Sequence, residues 1–532
     1  MASSPTASSR SSRGRTWKRR RAHGSTSPAS DPLRPPSRCS RTANCSSCSS
    51  GTRSRAARRG ISRPTSQRRT TDTARRASSR GAPRTAGALR AAGAVNSGGI
   101  RGLPGFRDFF PEELALRRHI FSAWRRVGAR YGFTEYDGPP LEALELYTRK
   151  SGEEIVSQLY EFEDKGGRGV ALRPEMTPTF ARMIASRAAG MAKPVRWFSI
   201  PQLFRYERPQ RGRLREHFQL NMDIVGETNP LSDAEIIGAG IDALRELGLE
   251  AADVVVRISD RRLIAALLDA HGISAEDHVP VFGALDRLEK EGEDGVRARL
   301  AEKGVEREAA TRLLAAVRLP LAELAAAHGE DEAIARAADR LSTVFAHLGA
   351  AGLADFIEFD AGLVRGLAYY TGTVFEIWDR RDELRAICGG GRYDDLLKAL
   401  GGVDLPALGF GMGDVVLTEL LRDRDLVPAA TGRVDDYIVC VSDAERPLAL
   451  GIARALRDRG RRVLYDLRPR GVGRQFKAAH QAGAGRAVVL GPREAERGVA
   501  VLRDMASGEE REVAIETLTG SPSGEAKGEE VR

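Results

Sequence analysis

Phe204-Arg205-Tyr206-Glu207-Arg208-Pro209, followed by Gln219-Leu220-Asn221-Met222-Asp223, is the stretch on which the fold turns. Strand-like runs at 195–205 and 216–225 flank a polar, arginine-dense turn, the pattern of a long-looped antiparallel hairpin. Side chains alternate between the faces of a strand, so Arg205 and Glu207 share one face, and Gln219, Asn221 and Asp223 share one face of the opposite strand. A guanidinium fork suits phosphate oxygens, and a carboxylate beside it can accept from an amino group such as that of adenine. On residue type alone, a solvated charged hairpin accounts for the same pattern.

Working outward, a turn-forming stretch at 102–106 leads into an amphipathic helix over Pro111–Arg130, with Pro111 suited to the first helical turn. Short strand and loop signals fill 133–173, and a helix is expected over 177–189. Downstream, 260–348 is rich in Ala, Leu, Arg and Glu with apolar residues every three to four positions, which predicts a helical insertion without evident chemistry. Strands are expected at 356–358 and 374–377, then glycine-rich connections and a last helix near 415–421. Pro428 and the residues after it mark a linker. Beyond it strand and helix alternate (436–441, 446–459, 463–465, 473–482, 487–490), predicting a small three-layer α/β domain on a largely parallel sheet.

At 532 residues the chain is too long for one core. Its net charge of +11 would invite a nucleic-acid reading, but residues 1–99 hold 22 basic side chains against only Asp31 and Asp72. That segment carries +20, which leaves −9 for the rest. Bulk basicity is therefore no sign of RNA binding by the folded part. Residues 1–98 lack the apolar content to offset chain entropy and are expected to be disordered. Their Ser- and Arg-rich, acid-poor makeup matches an organelle transit peptide; a translated upstream region with a misassigned start is the preferred reading, and a basic RNA-binding arm is a third. No run of about 18 uncharged apolar residues could span a bilayer, so no membrane is expected. Cys39, Cys45, Cys48, Cys388 and Cys440 form no disulfide framework, and the Cys45/Cys48 pair lacks partners for a zinc site. No metal site is expected, and a reducing, cytoplasmic setting fits best.

Several segments carry a family resemblance. The hairpin stretch resembles motif 2 of class II aminoacyl-tRNA synthetases; Tyr131-Gly132-Phe133-Thr134-Glu135 with Pro139, Leu141 and Glu142 resembles their dimer-forming motif 1. Leu363-Val364-Arg365-Gly366-Leu367 with Tyr369-Tyr370 and Thr373-Val374-Phe375-Glu376 resembles the histidine-specific segment of histidyl-tRNA synthetases. Ile387-Cys388-Gly389-Gly390-Gly391-Arg392-Tyr393-Asp394 resembles the glycine-rich segment that follows it, where missing side chains let a ligand approach the backbone; as a bare glycine run it would be a loop. Leu172-Arg173-Pro174-Glu175-Met176-Thr177 resembles a substrate-binding loop of the same family, and Arg474-Gln475-Phe476-Lys477 its anticodon-binding module.

The resemblance implies an α+β catalytic domain with a mixed, mainly antiparallel sheet flanked by helices (99–427, including the insertion) and an anticodon-binding α/β domain (434–520), with tails at 1–98 and 521–532. It implies activation of L-histidine by ATP, carried with Mg2+, and transfer to tRNA-His by a homodimer. Glu175, Met176, Thr177, Gln219, Asp223, Tyr369 and Tyr370 would bind histidine, with Asp223 and Tyr370 addressing the imidazole; Tyr369 serves equally well as a packed core tyrosine, and Glu376 is read as structural. Arg205, Glu207, Arg213, Gln219 and Arg365 would bind ATP, with Arg205 and Arg365 stabilising the reacting phosphate. Arg474 and Lys477 would meet tRNA phosphates. Two positions depart from the family: Val416 stands where motif 3 has an Arg for the γ-phosphate, leaving Arg211 or Arg213 to compensate, and Ala368 stands where an Asp is usual. A non-catalytic paralogue acting as a regulatory subunit of histidine biosynthesis is the competing reading.

Overall fold

In the computed structural model the described residues are 100–149, 153–365, 369–381, 384–428 and 434–520. The expectations for the 1–98 tail, for Cys45/Cys48, for the 521–532 tail and for Ala368 lie outside them. Among the described residues no helix is long and apolar enough to cross a membrane.

Helix α1 (Pro111–Arg130) begins at its proline and buries Leu116, Ile120, Ala123, Trp124 and Val127, one stripe at helical spacing. Helix α2 spans Thr177–Arg187, and α3 spans Pro230–Arg245, where the Asn229 side chain accepts from the Leu231 N–H at 2.9 Å. The nine strands of the main sheet are β1 (Thr134–Glu135), β2 (Val195–Ser199), β3 (Gln202–Phe204), β4 (Glu216–Val225), β5 (Val254–Asp260), β6 (Ile357–Phe359), β7 (Thr373–Asp379), β8 (Cys388–Arg392) and β9 (Ala407–Gly413). Their order is β1-β2-β4-β9-β8-β7-β5-β6, with β3 beside β4. Only β1–β2 and β5–β6 are parallel. The expected strand 195–205 is two strands, because Pro201 has no N–H to give the ladder and its carbonyl instead accepts from Gln219 N at 3.2 Å.

The long strand β4 divides the domain. Leu220, Met222 and Ile224 are buried in the apolar core that also holds the stripes of α1 and α3, while the alternate residues face a cavity. Residues 389–391, read from composition as a loop, are the middle of β8, hydrogen-bonded on both sides. A smaller antiparallel sheet of Leu141–Ala143, Gly169–Leu172 and Tyr160–Glu163 lies upstream of α2.

Asp260, at the end of β5, caps the first insertion helix by accepting from Arg262 N at 2.8 Å; six helices follow between Arg261 and Ala350. Their last member, Glu332–Ala350, is joined to the sheet through a buried ionic cluster. Arg392 of β8, 1% exposed, pairs with Asp233 of α3 at 2.6 Å, and Arg340 of that last helix reaches the same carboxylate at 3.1 Å.

The segment 436–520 forms a five-stranded sheet ordered Val463–Tyr465, Asp436–Cys440, Arg486–Leu490, Val499–Asp504, Glu510–Ala514. The first two pairings are parallel and the last two antiparallel, so the sheet is mixed rather than largely parallel. The hairpin 499–514 escaped the sequence reading because its charged residues (Arg503, Asp504, Glu509, Glu510, Arg511, Glu512) blur the alternation.

Removing Asp233 would take from the buried Arg392 its closer carboxylate, leaving Asp394 at 3.3 Å, and take from Arg340 its ion pair. Asp233→Ala is therefore expected to cost about 3–5 kcal/mol of stability, read as a lowered midpoint of urea unfolding. A change below about 1 kcal/mol would show that the cluster does not hold the insertion to the sheet.

Candidate active site

The cavity facing β4 encloses about 790 Å³. From the expected site residues it gathers Glu175, Thr177, Arg205, Glu207, Arg213, Gln219, Asp223, Arg365, Tyr369 and Tyr370 on its walls. Met176 is not among them: it is fully buried, with its sulfur 3.7 Å from the Arg173 guanidinium. Arg211 also turns away, to Asp423 at 2.9 Å and Glu419 at 3.8 Å on the helix Asp414–Asp423 (α4). Arg474 and Lys477 are exposed one turn apart on the helix Val472–Gln481, whose Gln475 is buried.

Three side chains of the site lie across glycines of the sheet. A β-carbon on Gly389 would fall 1.5 Å from Arg365 Nη1, one on Gly409 2.1 Å from Asp223 Oδ1, and one on Gly411 1.8 Å from Gln219 Nε2. These glycines make room for the protein's own site residues, a different reason from the ligand approach that the sequence suggested.

Arg365 itself has φ +53°, a left-handed conformation that costs a non-glycine residue about 1–3 kcal/mol. Its guanidinium is held by the Phe375 carbonyl and by Glu376 Oε1, each at 3.3 Å, and lies 5.4 Å from the Tyr370 ring centre. Burial works against the charge, but the Tyr370 hydroxyl and the Glu376 carboxylate outweigh it and raise its pKa above the ordinary value. Glu376, read from sequence as structural, stands directly across β8 from Gly389 and across β5 from Arg257. It is thus the acid beneath Arg365 and part of the wall.

Elsewhere on the wall, Arg205 Nε donates to the Pro174 carbonyl at 3.0 Å, which ties motif 2 to the loop that carries Glu175. Glu207 pairs with Arg213 at 2.7 Å. The Tyr369 hydroxyl donates to Glu175 Oε2 at 3.3 Å, while its ring packs 4.9 Å from that of Tyr370, so a packed tyrosine also stands on the cavity wall. Burial pushes the Asp223 carboxyl up to about 7, although the Tyr393 hydroxyl that donates to it pulls the other way.

Among the wall residues that were missed, five polar ones stand out. His217 continues the alternation of 219, 221 and 223 by one step, a signal present in the sequence; desolvation and the guanidinium groups of Arg205, Arg107 and Arg213 push its pKa down to about 3, so it is neutral. Tyr393 follows the glycine run and reaches Asp223, a pairing that no local pattern announces. Arg257 packs 5.3 Å from the Trp378 ring. Arg385 and, from the insertion, Lys290 complete the set. The insertion, in which the sequence showed no evident chemistry, therefore contributes to the cavity wall.

With this geometry in place, comparison with known proteins gives a consistent picture. The family model for histidyl-tRNA synthetase matches residues 105–414, and that for the anticodon binding domain matches 436–520. A histidine–tRNA ligase of Opitutus terrae is 45% identical over 79% of this chain and 97% of its own length. The chloroplastic/mitochondrial histidine–tRNA ligase of Arabidopsis thaliana is 41% identical, covering 78% of this chain and 85% of its own length. Among solved structures, histidyl-tRNA synthetase from Nostoc sp. PCC 7120 superposes with a TM-score of 0.67 at 27% identity, covering 79% of this chain and 98% of that one. On the match across the catalytic sheet and on these relatives, the chain belongs to the histidyl-tRNA synthetase family.

Proposed function

We propose that this chain activates L-histidine with ATP and passes it to the 3′ end of tRNA-His. The observation that carries the reading is one cavity with Arg205 and Arg365 on its walls beside Glu175, Thr177, Gln219 and Asp223. In the first step a histidine carboxylate oxygen bonds to the α-phosphorus of ATP and the bond to pyrophosphate breaks. In the second, a hydroxyl of the terminal ribose of the tRNA bonds to the histidyl carbonyl carbon and AMP leaves. Neither step needs a protein nucleophile, so catalysis is positioning and charge stabilisation, with magnesium arriving as part of the nucleotide substrate.

Each group has a role that its setting supports. Arg205 and Arg365 grip the oxygens of the α-phosphate, and Arg365 is pre-set by Glu376 and by its strained backbone. Glu175, Thr177 and Gln219 hold the α-ammonium. Asp223 and Tyr370 take the imidazole, where paired polar groups reject apolar analogues. Glu207 receives the adenine amino group, while Arg213 meets phosphate oxygens. Residues 99–427 act as the catalytic unit and 434–520 as the anticodon-reading unit, where Arg474 and Lys477 face the tRNA backbone. A homodimer built on 131–142 and a cytoplasmic setting complete the proposal. The regulatory paralogue is disfavoured by the anticodon-binding match and by relatives that are named ligases.

Purified protein should catalyse histidine-dependent exchange of pyrophosphate into ATP; retained histidine binding without any exchange would favour the regulatory reading. Arg365→Ala is expected to lower the exchange rate by about 100-fold or more while leaving histidine affinity within a few fold, since its charge acts on the transition state. Parallel loss of histidine binding would refute that role.

Asp223 supplies a pH test. Its folded pKa of about 7 exceeds the ordinary 3.8, so the stability that this group contributes is fully present below 3.8 and is lost as pH rises through 7. Histidine affinity should move the other way, rising between about pH 6 and 8 as the carboxylate forms to accept an imidazole N–H. Calorimetric titration should show Asp223→Asn binding more weakly and without the step near pH 7; an unchanged profile would remove Asp223 from the imidazole site.

A further inference from the structure

Strand β4 stands on two unequal footings. Residues 221–225 have β2 on one side and β9 on the other, and β9 ends at Gly413, opposite Gln219. Among the described strands, only β3 flanks the residues before Gln219. Amides two residues apart in a strand point to the same side, so the N–H groups of Phe218 and Glu216 face the edge beyond the end of β9. The segment 101–110, ahead of α1, and the first residue of α4 supply partners there. Phe218 N donates to Asp414 Oδ1 at 2.8 Å, and Glu216 N donates to the Gly105 carbonyl at 3.3 Å. Arg107 ties these together: its Nε meets Glu216 Oε1 at 2.6 Å and its Nη1 meets Asp414 Oδ2 at 2.9 Å, both carboxylates being 2% exposed.

We infer that Arg107 is a positioning residue for the nucleotide: by joining Asp414 to Glu216 it fixes the start of β4 against the start of α4, at the end of the cavity where the motif 2 turn lies. This rests on the proposed activation of histidine by ATP. His217 and Gln219, on either side of Phe218, line the cavity, as do Val415 and Val416 directly after Asp414. A β-carbon on Gly212 of the turn would lie 3.3 Å from Val416 Cγ2, so the turn that carries Arg213 rests on α4. Loosening either element would therefore move the groups offered to ATP. Asp223 would stay, because Trp197 of β2 and Gly409 of β9 pair with it on both sides. Without Arg107 two neighbouring carboxylates would lie buried, and burial already pushes the Asp414 carboxyl up against the pull of that guanidinium.

The test is calorimetry of ATP and of histidine with the full chain. Arg107→Met should weaken ATP binding by about 10-fold or more and histidine binding by no more than about threefold, and Arg107→Lys should recover part of the loss. Arg107→Met leaves two buried carboxylates without their shared cation and can fail to fold, so Asp414→Ala is the second variant. It removes the acceptor of Phe218 N while Arg107 keeps Glu216, and it should show the same selective loss for ATP. Asp414→Asn, whose amide oxygen still accepts, should recover most of that loss. A residue that only held the fold together would weaken both ligands alike. Equal losses for the two ligands, unchanged ATP affinity, or a failure of Asp414→Ala to fold would overturn the role of Arg107. Wild-type protein that binds ATP but catalyses no histidine-dependent exchange overturns the ligase reading alone; wild-type protein that binds no ATP overturns both.

Discussion

Glycines in the middle of a strand are a burden, each weakening it by roughly 0.5–1 kcal/mol relative to alanine, yet β8 and β9 place them side by side in the centre of the main sheet. What offsets that cost is the side chains laid over them. Arg365 occupies the space that a β-carbon on Gly389 would fill, and Asp223 does the same at Gly409. The floor of the cavity is therefore made of backbone, and the reactive groups lie along it instead of standing up from it. A sheet with ordinary side chains here would have no room for these groups.

The strand register turns that floor into an ordered row. Arg257, Glu376, Gly389, Gly411 and Asn221 stand opposite one another across β5, β7, β8, β9 and β4. Glu376 is thus set beneath Arg365 by hydrogen-bonded strands rather than by a flexible loop, and the strained backbone at residue 365 is held from below by an acid and from the side by Tyr370. Rigidity of this kind is what a reaction catalysed by charge placement needs, because an arginine free to relax would lose stabilisation as soon as charge developed elsewhere.

How much of this was legible in the sequence follows from the range over which each signal acts. The alternation of Gln219, Asn221 and Asp223 is local, so the hairpin and its working face could be read directly, as could α1 with its proline start. The pairing of Arg365 with Glu376 was missed because an acid in a strand has many possible uses. Tyr393 with Asp223, and the ion pairs of Arg392 and Arg340 with Asp233, join residues more than a hundred positions apart. Nothing in either partner's surroundings specifies the other, and they emerge only when the sheet order is known. The same holds for Lys290, which reaches the cavity because the insertion is pinned at both ends, not because of any pattern within it.

The distribution of charge around the cavity then bears on direction. Glu175 and Asp223 cluster with Tyr369 and Tyr393, and burial makes a charge on Asp223 costly until a donor arrives to satisfy it. Arg205 and Arg213 lie instead on the wall beside His217, which burial and the guanidinium groups around it keep neutral. A cationic or donor-bearing ligand is favoured at one end and a polyanion at the other, so an amino acid and a nucleotide entering together have one productive arrangement. On the proposed reading, Gln219 and Arg365, laid over glycines of the same floor, lie on the wall that both ligands share.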